Sequence, residues 1–251
     1  MLKKKDMNLF SVIGDFSIFF FRSIFLPWRI NKTKSRILHQ VYYVGIGSLP
    51  IIIIIATFVG LVSTVQTSYQ LIGAVPRYII GSTVGRMVMI ELGPILTALM
   101  VSGRCASSMA AEIGTMRVTE QIDALETMAI NPYRFLNLPR IIGTFIALPI
   151  LTVIAEFDAI LCGASYAHFF LNIPFSVFNY GLTHYFFATD FFGGLVKSLF
   201  FSLVIAGSGC YFGFRVKGGA REVGKAATYA VVTASILILV LDFLVALVIF
   251  G

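Results

Sequence analysis

Leu49-Pro50-Ile51-Ile52-Ile53-Ile54-Ile55-Ala56-Thr57-Phe58-Val59-Gly60-Leu61-Val62 carries no charged side chain, and isoleucine fills its centre without interruption. Extended to 45–68, the run is long enough to cross a hydrocarbon core of about 30 Å, which takes roughly 20 helical residues. Runs of the same character lie at 87–110, 141–170, 193–214 and 227–250. Across 251 residues, 58% are hydrophobic and 12% charged, with a mean hydropathy of +0.90. A soluble domain carries about 25% charged residues, so an ordinary water-soluble enzyme core is excluded. The chain reads as an all-α membrane protein of one domain with five transmembrane helices. The third run is overlong, with room to tilt, kink at Pro149 or project beyond the bilayer.

A net charge of +7 would suggest nucleic acid in a soluble protein. In a membrane protein its distribution among loops matters more, and no nucleic-acid partner is expected. All Lys and Arg residues except Arg77, Arg86 and Lys197 lie in 1–40, 104–140 and 215–225. The positive-inside rule therefore places the N-terminus in the cytoplasm and the C-terminus outside. Cys105, Cys162 and Cys210 stand far apart within apolar runs, as small buried hydrophobes rather than a disulfide framework.

Residues 8–29 are Phe-rich and follow Lys3, Lys4 and Lys5, yet they lack the cleavage pattern of a signal peptide. At ~100° per residue Asn8, Ser11, Asp15, Arg22 and Arg29 form one polar stripe. That describes an interfacial helix within a cytoplasmic N-terminal segment, 1–40, ahead of the five-span domain, 41–251. An odd number of spans and the lack of an internal repeat weaken a reading as an ion-coupled secondary transporter.

Between the second and third spans the composition changes. Over 112–127 the acidic residues Glu112, Glu120, Asp123 and Glu126 outnumber Arg117, while Ile113, Met116, Leu125 and Met128 can share an apolar side. Asn131-Pro132 ends the helix. Cytoplasmic loops beside anionic lipid normally carry positive charge. An acidic amphipathic helix there suits a protein partner with a complementary surface, or else is a solvated connector.

At these residues the chain resembles a known family. Glu91-Leu92-Gly93-Pro94, Gly103-Arg104, the block from Ala111 to Leu125, Asn131-Pro132, Pro139-Arg140, Gly218-Gly219-Ala220, Val223-Gly224 and Asp242-Phe243 are similar, in order, to the signature of the MlaE permeases. The similarity runs over about 40–251 and is most specific in its central block. It implies a homodimeric permease subunit of an ABC transporter in the bacterial inner membrane. Such a subunit moves phospholipid or a related hydrophobic molecule between that membrane and a periplasmic MCE-domain protein. It also implies a separate cytoplasmic ATPase, which supplies the ATP and Mg²⁺ chemistry, and often a small STAS-domain protein. On this sequence, 112–127 would be the coupling helix, with Glu112, Met116, Arg117, Glu120, Gln121 and Asp123 toward the ATPase. The lipid cavity would lie between subunits, with Val59, Val62 and Val65 against acyl chains. Family members carry Arg directly before the equivalent of Glu91. This chain has Ile90, so a headgroup role for that position does not carry over, and Arg86 is the substitute one turn earlier.

Other residues invite chemistry. Gly219 to Ala226 nearly matches a P-loop, but Ala226 replaces the Mg²⁺-binding Ser/Thr and the segment follows a span rather than a strand. It reads as a basic turn. Ionisable groups at membrane depth are costly and face a cavity or a partner. Glu91, with Gln66 and Tyr69, is therefore a candidate for a cavity rim near the outer ends of the first two spans, or else a packing residue. Glu156 and Asp158 differ by about 200° on a helix and cannot face one site; with Asp242 they suit structural pairing better than a proton relay. His39 and His184 are expected in loops without metal-ligand companions. Small-residue ridges at Ser102/Ala106/Ala110 and Gly103/Ser107/Ala111, and the pair Gly209/Gly213, mark close helix contacts within the chain or between copies. The rival from another class is an intramembrane lipid-modifying enzyme using Glu91 with Glu156 or Asp158.

Overall fold

The computed structural model describes Gly14 and residues 30–71 and 76–251. The interfacial helix expected over 8–29 lies outside these residues, apart from Gly14. Among the described residues five helical segments are long and apolar enough to cross a membrane. The first is α1 (Ile30–Gln70). It begins upstream of the apolar run, so 30–40, expected in a separate N-terminal segment, continue the first span. His39 accordingly sits within a helix rather than a loop.

The second segment, Tyr78–Val118, is continuous but changes pitch twice. It comprises α2 (Tyr78–Met87), a π-helical turn (Val88–Leu92), α3 (Gly93–Val101), a second π turn (Ser102–Ala106) and α4 (Ser107–Val118). Pro94 has no N–H to donate, and the widened first turn is closed instead by Gly93 N–H on the Val88 carbonyl. At 1.5 Å per residue its 41 residues reach roughly 60 Å, well beyond a hydrocarbon core. The run predicted at 87–110 is only its apolar middle, and α4 carries Glu112 and Arg117 past it.

The coupling segment is not one helix. α4 stops at Val118, Glu120 takes a left-handed φ of 58°, and α5 (Gln121–Thr127) starts afresh. Arg117 and Asp123 close an ion pair of 2.6 Å across the break. Ile113, Met116, Ile122, Leu125 and Leu136 form one small apolar cluster with Cys210 and Phe214. Met128, expected on that apolar side, is exposed, because the turn after α5 directs it outward.

A third π turn (Tyr133–Asn137) leads into α6 (Leu138–Leu171), which continues through Pro149. A short helix, α7 (Phe175–His184), packs on α2 and includes His184, which the sequence placed in a loop. The bundle is completed by α8 (Ala188–Phe214) and α9 (Ala220–Phe250). The near P-loop, expected as a basic turn, is instead the start of α9: Gly219 is its N-cap and Ala220 to Ala226 form the first two helical turns.

Glycines set how closely the spans approach. α1 and α6 run side by side in the same direction, and a Cβ at Gly60 would collide with the Ala159 carbonyl. Gly209 and Gly213 of α8 face Ala106, Met109, Ala110 and Ile113, so the Ser102/Ala106/Ala110 ridge packs within the chain. Gly103 of the other ridge is exposed, with nothing within 4 Å of a built Cβ. The core follows these contacts, with α8 deeply buried and α9 on the periphery.

Candidate functional site

Two features are candidates for a site: a cavity between the first two spans and a charge cluster behind it. Along α1, Ile55, Phe58, Val59, Val62, Ser63, Gln66, Thr67 and Gln70 recur with helical spacing and form one wall. Thr83, Met87, Leu92 and Leu96 of the second segment form the other, enclosing about 530 Å³. The range for small-molecule sites is about 300–1,000 Å³. The wall is apolar from Ile55 to Val62 and polar from Ser63 to Gln70, where Thr83 joins it. A narrow crevice behind Val59 continues inward beside Gly93 to Ala155 and Ala159 of α6.

Of the residues expected to line a cavity, Val59, Val62 and Gln66 do so. Val65 and Tyr69 lie on a different stripe of α1 and are exposed. Glu91 is not among the residues lining this cavity, although its side chain is 41% exposed. It sits inside the first π turn, beside lining residue Leu92, with its carboxylate on Lys197 Nζ at 2.8 Å. Arg86 does not enter the cavity either: its Nε donates to Asp190 at 2.8 Å, and its guanidinium stands over Phe187.

Lys197 is the buried charge the sequence reading left without a role. Its side chain is 0% exposed, and its ammonium also meets Asp242 of α9 at 2.9 Å. The distances are those of ion pairs, although neither contact is aligned as a hydrogen bond. A lone lysine inside an otherwise apolar span was the available signal, since a charge at that depth marks a partner. One cation thus ties the second, fourth and fifth spans together, immediately behind the cavity wall. Glu156 is buried against Gly93 and Gly194, whereas Asp158, on the other face of α6, accepts from Thr57 Oγ1 at 3.0 Å. Glu91 is thus held by Lys197 and Asp158 by Thr57, while both oxygens of Glu156 are buried without a hydrogen-bond partner among the described residues, on the opposite face of α6 from Asp158.

At the basic end, Arg104 reaches from the second π turn into α1, donating to the Tyr43 carbonyl at 3.1 Å and Ser48 Oγ at 2.8 Å. Glu112 is tied to buried Arg140 at 2.9 Å. Met116 is half-buried in the small cluster, and Arg117 and Asp123 hold each other. Glu120 and Gln121 are exposed at the break, and the outer side of α5 presents Asp123, Glu126 and Thr127. Of the residues expected to meet an ATPase, Glu112 is thus engaged within the chain, while Glu120, Gln121 and Asp123 are accessible.

Comparison with known proteins agrees with this architecture. The family model described as Permease MlaE matches residues 37–248. A probable ABC transporter permease protein of Rickettsia felis is 35% identical over 246 residues, covering 96% of this chain and 93% of its own. One from Synechocystis sp. is 38% identical over 218 residues, 87% of this chain and 82% of its own. One from the alga Pyropia yezoensis is 35% identical over 224 residues, 89% and 85% respectively. A match over nearly the whole spanning region, on a chain with five membrane-length helices, establishes that this protein belongs to the MlaE permease family.

Proposed function

We infer that the chain is the membrane subunit of an ABC transporter that moves phospholipid, or a related hydrophobic molecule, through the cavity between its first two spans. The observation that carries this reading is the division of that cavity into an apolar stretch, Ile55 to Val62, and a polar stretch, Ser63 to Gln70 with Thr83. An amphiphile meets both conditions at once, with acyl chains on the valines and a polar group on the hydroxyls and amides. A small hydrophilic solute would leave the apolar stretch without a contact, and a pure hydrocarbon would leave the polar stretch unpaired.

The working unit is a homodimer in a bacterial inner membrane, with the N-terminus cytoplasmic and the C-terminus periplasmic. Exposure of Phe58 and Val62 at the cavity mouth supports a second copy completing it. The chain supplies the path, and a separate cytoplasmic ATPase supplies ATP and Mg²⁺. α5 and the turn at Glu120 receive that ATPase. Anchored to α4 by the Arg117–Asp123 pair, they pass its movement into the long second segment, which forms one cavity wall. A periplasmic MCE-domain protein exchanges lipid at the other end, and a STAS-domain protein joins the ATPase.

The test is Val62→Arg in proteoliposomes containing the chain with its ATPase. A charge among acyl-chain contacts costs about 2.5–3.5 kcal/mol on insertion scales. Transport of labelled phospholipid should stop while membrane insertion and ATPase binding persist. Normal transport by a well-inserted Val62→Arg protein overturns the cavity assignment.

A further inference from the structure

A second cavity, of about 350 Å³, opens at the basic end of the bundle, where the first and third spans begin. Thr33 and Arg36 of α1 line one side, and Ile130, Asn131, Arg134 and Phe135 the other. It lies away from the transport cavity, whose α1 wall starts at Ile55.

The charge in this cavity is unbalanced. Among the described residues no carboxylate lines it. Of the acidic side chains described at the same end, Glu112, Asp123 and Glu222 pair with Arg140, Arg117 and Lys225, while Glu120 and Glu126 stand exposed and do not line the cavity. Arg36 lies with its guanidinium 3.5 Å from the centroid of the Phe135 ring. Stacking fixes the plane of that group and leaves its N–H edges directed sideways, the geometry in which guanidinium grips a phosphate with paired hydrogen bonds. Arg134 supplies a second guanidinium from the π turn below. Asn131 uses its Oδ1 to accept from the backbone N–H of Tyr133 at 3.0 Å, which leaves its amide N–H groups as donors. Ile130 and Phe135 add an apolar wall on the side of the spans.

Two arginines, an amide donor and an apolar wall at the level where two spans leave the hydrocarbon describe a headgroup site. We propose that this cavity binds the phosphate of a net-anionic phospholipid, of the phosphatidylglycerol type, from the leaflet at the basic end of the bundle. The phosphate sits between Arg36 and Arg134, and Phe135 and Ile130 meet the glycerol and the first methylenes. Lipids whose headgroup carries an ammonium are disfavoured, because that cation would stand beside two guanidinium groups. Basic pockets between spans take anionic headgroups for the same reason. A lipid bound here would bridge the start of the first span and the start of the third, the two ends that frame the Asn131 turn beyond α5.

The experiment places the full chain in nanodiscs of equal phosphatidylglycerol and phosphatidylcholine and reads retained lipid by native mass spectrometry. Arg36→Gln/Arg134→Gln is compared with the charge-matched Lys217→Gln/Arg221→Gln. The wild type and the control should retain phosphatidylglycerol in preference, and the cavity variant should lose that preference roughly tenfold or more. Glycerol 3-phosphate added to the detergent-solubilised chain should not displace the retained lipid. Thermal unfolding of the cavity variant should fall within a few degrees of wild type, since neither Arg36 nor Arg134 holds an ion pair among the described residues and Arg36 gives up only its contact with Phe135. Unchanged selectivity in the cavity variant overturns the proposal. So does displacement by glycerol 3-phosphate at low concentration, which would assign the cavity to a soluble phosphate. Loss of ATPase association with lipid selectivity intact would assign it to the protein partner and overturn the proposal as well.

Discussion

Lys197 and Asp242 meet at 2.9 Å between the fourth and fifth spans, with the lysine side chain shut off completely from solvent. α9 is otherwise the least buried span, so this ion pair and the small buried face of Ala226, Ala230, Ala234 and Ile238 hold it to the bundle. Since Glu91 shares the same ammonium, the first π turn is fixed by the same contact.

Lys197→Met should therefore lower the stability of the folded chain by about 1–3 kcal/mol, the cost of leaving Asp242, 15% exposed, and half-exposed Glu91 without their cation. Replacing all three groups, as Glu91→Gln/Lys197→Met/Asp242→Asn, should recover much of that loss because no uncompensated charge remains. Unfolding in mixed micelles measures both. Equal stability of Lys197→Met and wild type would show that the cluster contributes nothing to holding α9.

The two small-residue ridges should behave differently. Gly209→Leu drives a side chain into the Ala106 carbonyl and Met109, so it should cost about 1–3 kcal/mol or prevent folding. Gly103→Ala meets open space and removes a helix-interior glycine, so the isolated chain should gain stability by up to about 1 kcal/mol. A reversed ranking in thermal unfolding would contradict the packing of α8 on the second segment.

The acidic residues of the basic end divide into structural and accessible. Glu112→Gln leaves the Arg140 guanidinium, nearly buried, short of its ionic partner and should reduce stability by roughly 1–2 kcal/mol after allowing for the exposure of Glu112. Glu120→Lys lies outside the bundle and should leave unfolding unchanged while weakening ATPase association and transport. Co-purification with the ATPase and a thermal melt separate the two variants. Full ATPase binding and transport by Glu120→Lys/Asp123→Lys would reduce α5 to a solvated connector.

Filling the lipid cavity without adding charge gives an independent check. Thr83→Trp places a large ring between Val62 and Met87, so retained lipid and transport should fall together while dimer size and ATPase binding stay as in wild type. Undiminished transport would move the path elsewhere in the chain.

Membrane class and the five spans were legible because hydrocarbon demands about 20 apolar residues in a row and tolerates few charges. The match to a permease family was legible for a related reason: Glu91-Leu92-Gly93-Pro94 and the block from Ala111 to Leu125 combine residue types that a span or loop does not need for solubility alone. Half of the cavity was legible too. Val59, Val62 and Gln66 share a stripe of α1 that helical spacing defines, whereas Val65 and Tyr69 lie off it. What one-dimensional periodicity could not provide was the rotation of one helix against another. A π turn adds a residue to a helical turn, so Glu91 was placed at a rim when it faces Lys197, and the partner lies more than a hundred residues away. The break at Glu120 was hidden for a different reason. A left-handed residue there costs about 1–2 kcal/mol and is sustained by contacts on either side, with Met116, Ile122 and Leu125 packed together and Arg117 paired to Asp123. Local sequence determined which segments enter the membrane; which faces of those segments meet, and hence where charge is paired or left free, was decided by tertiary packing.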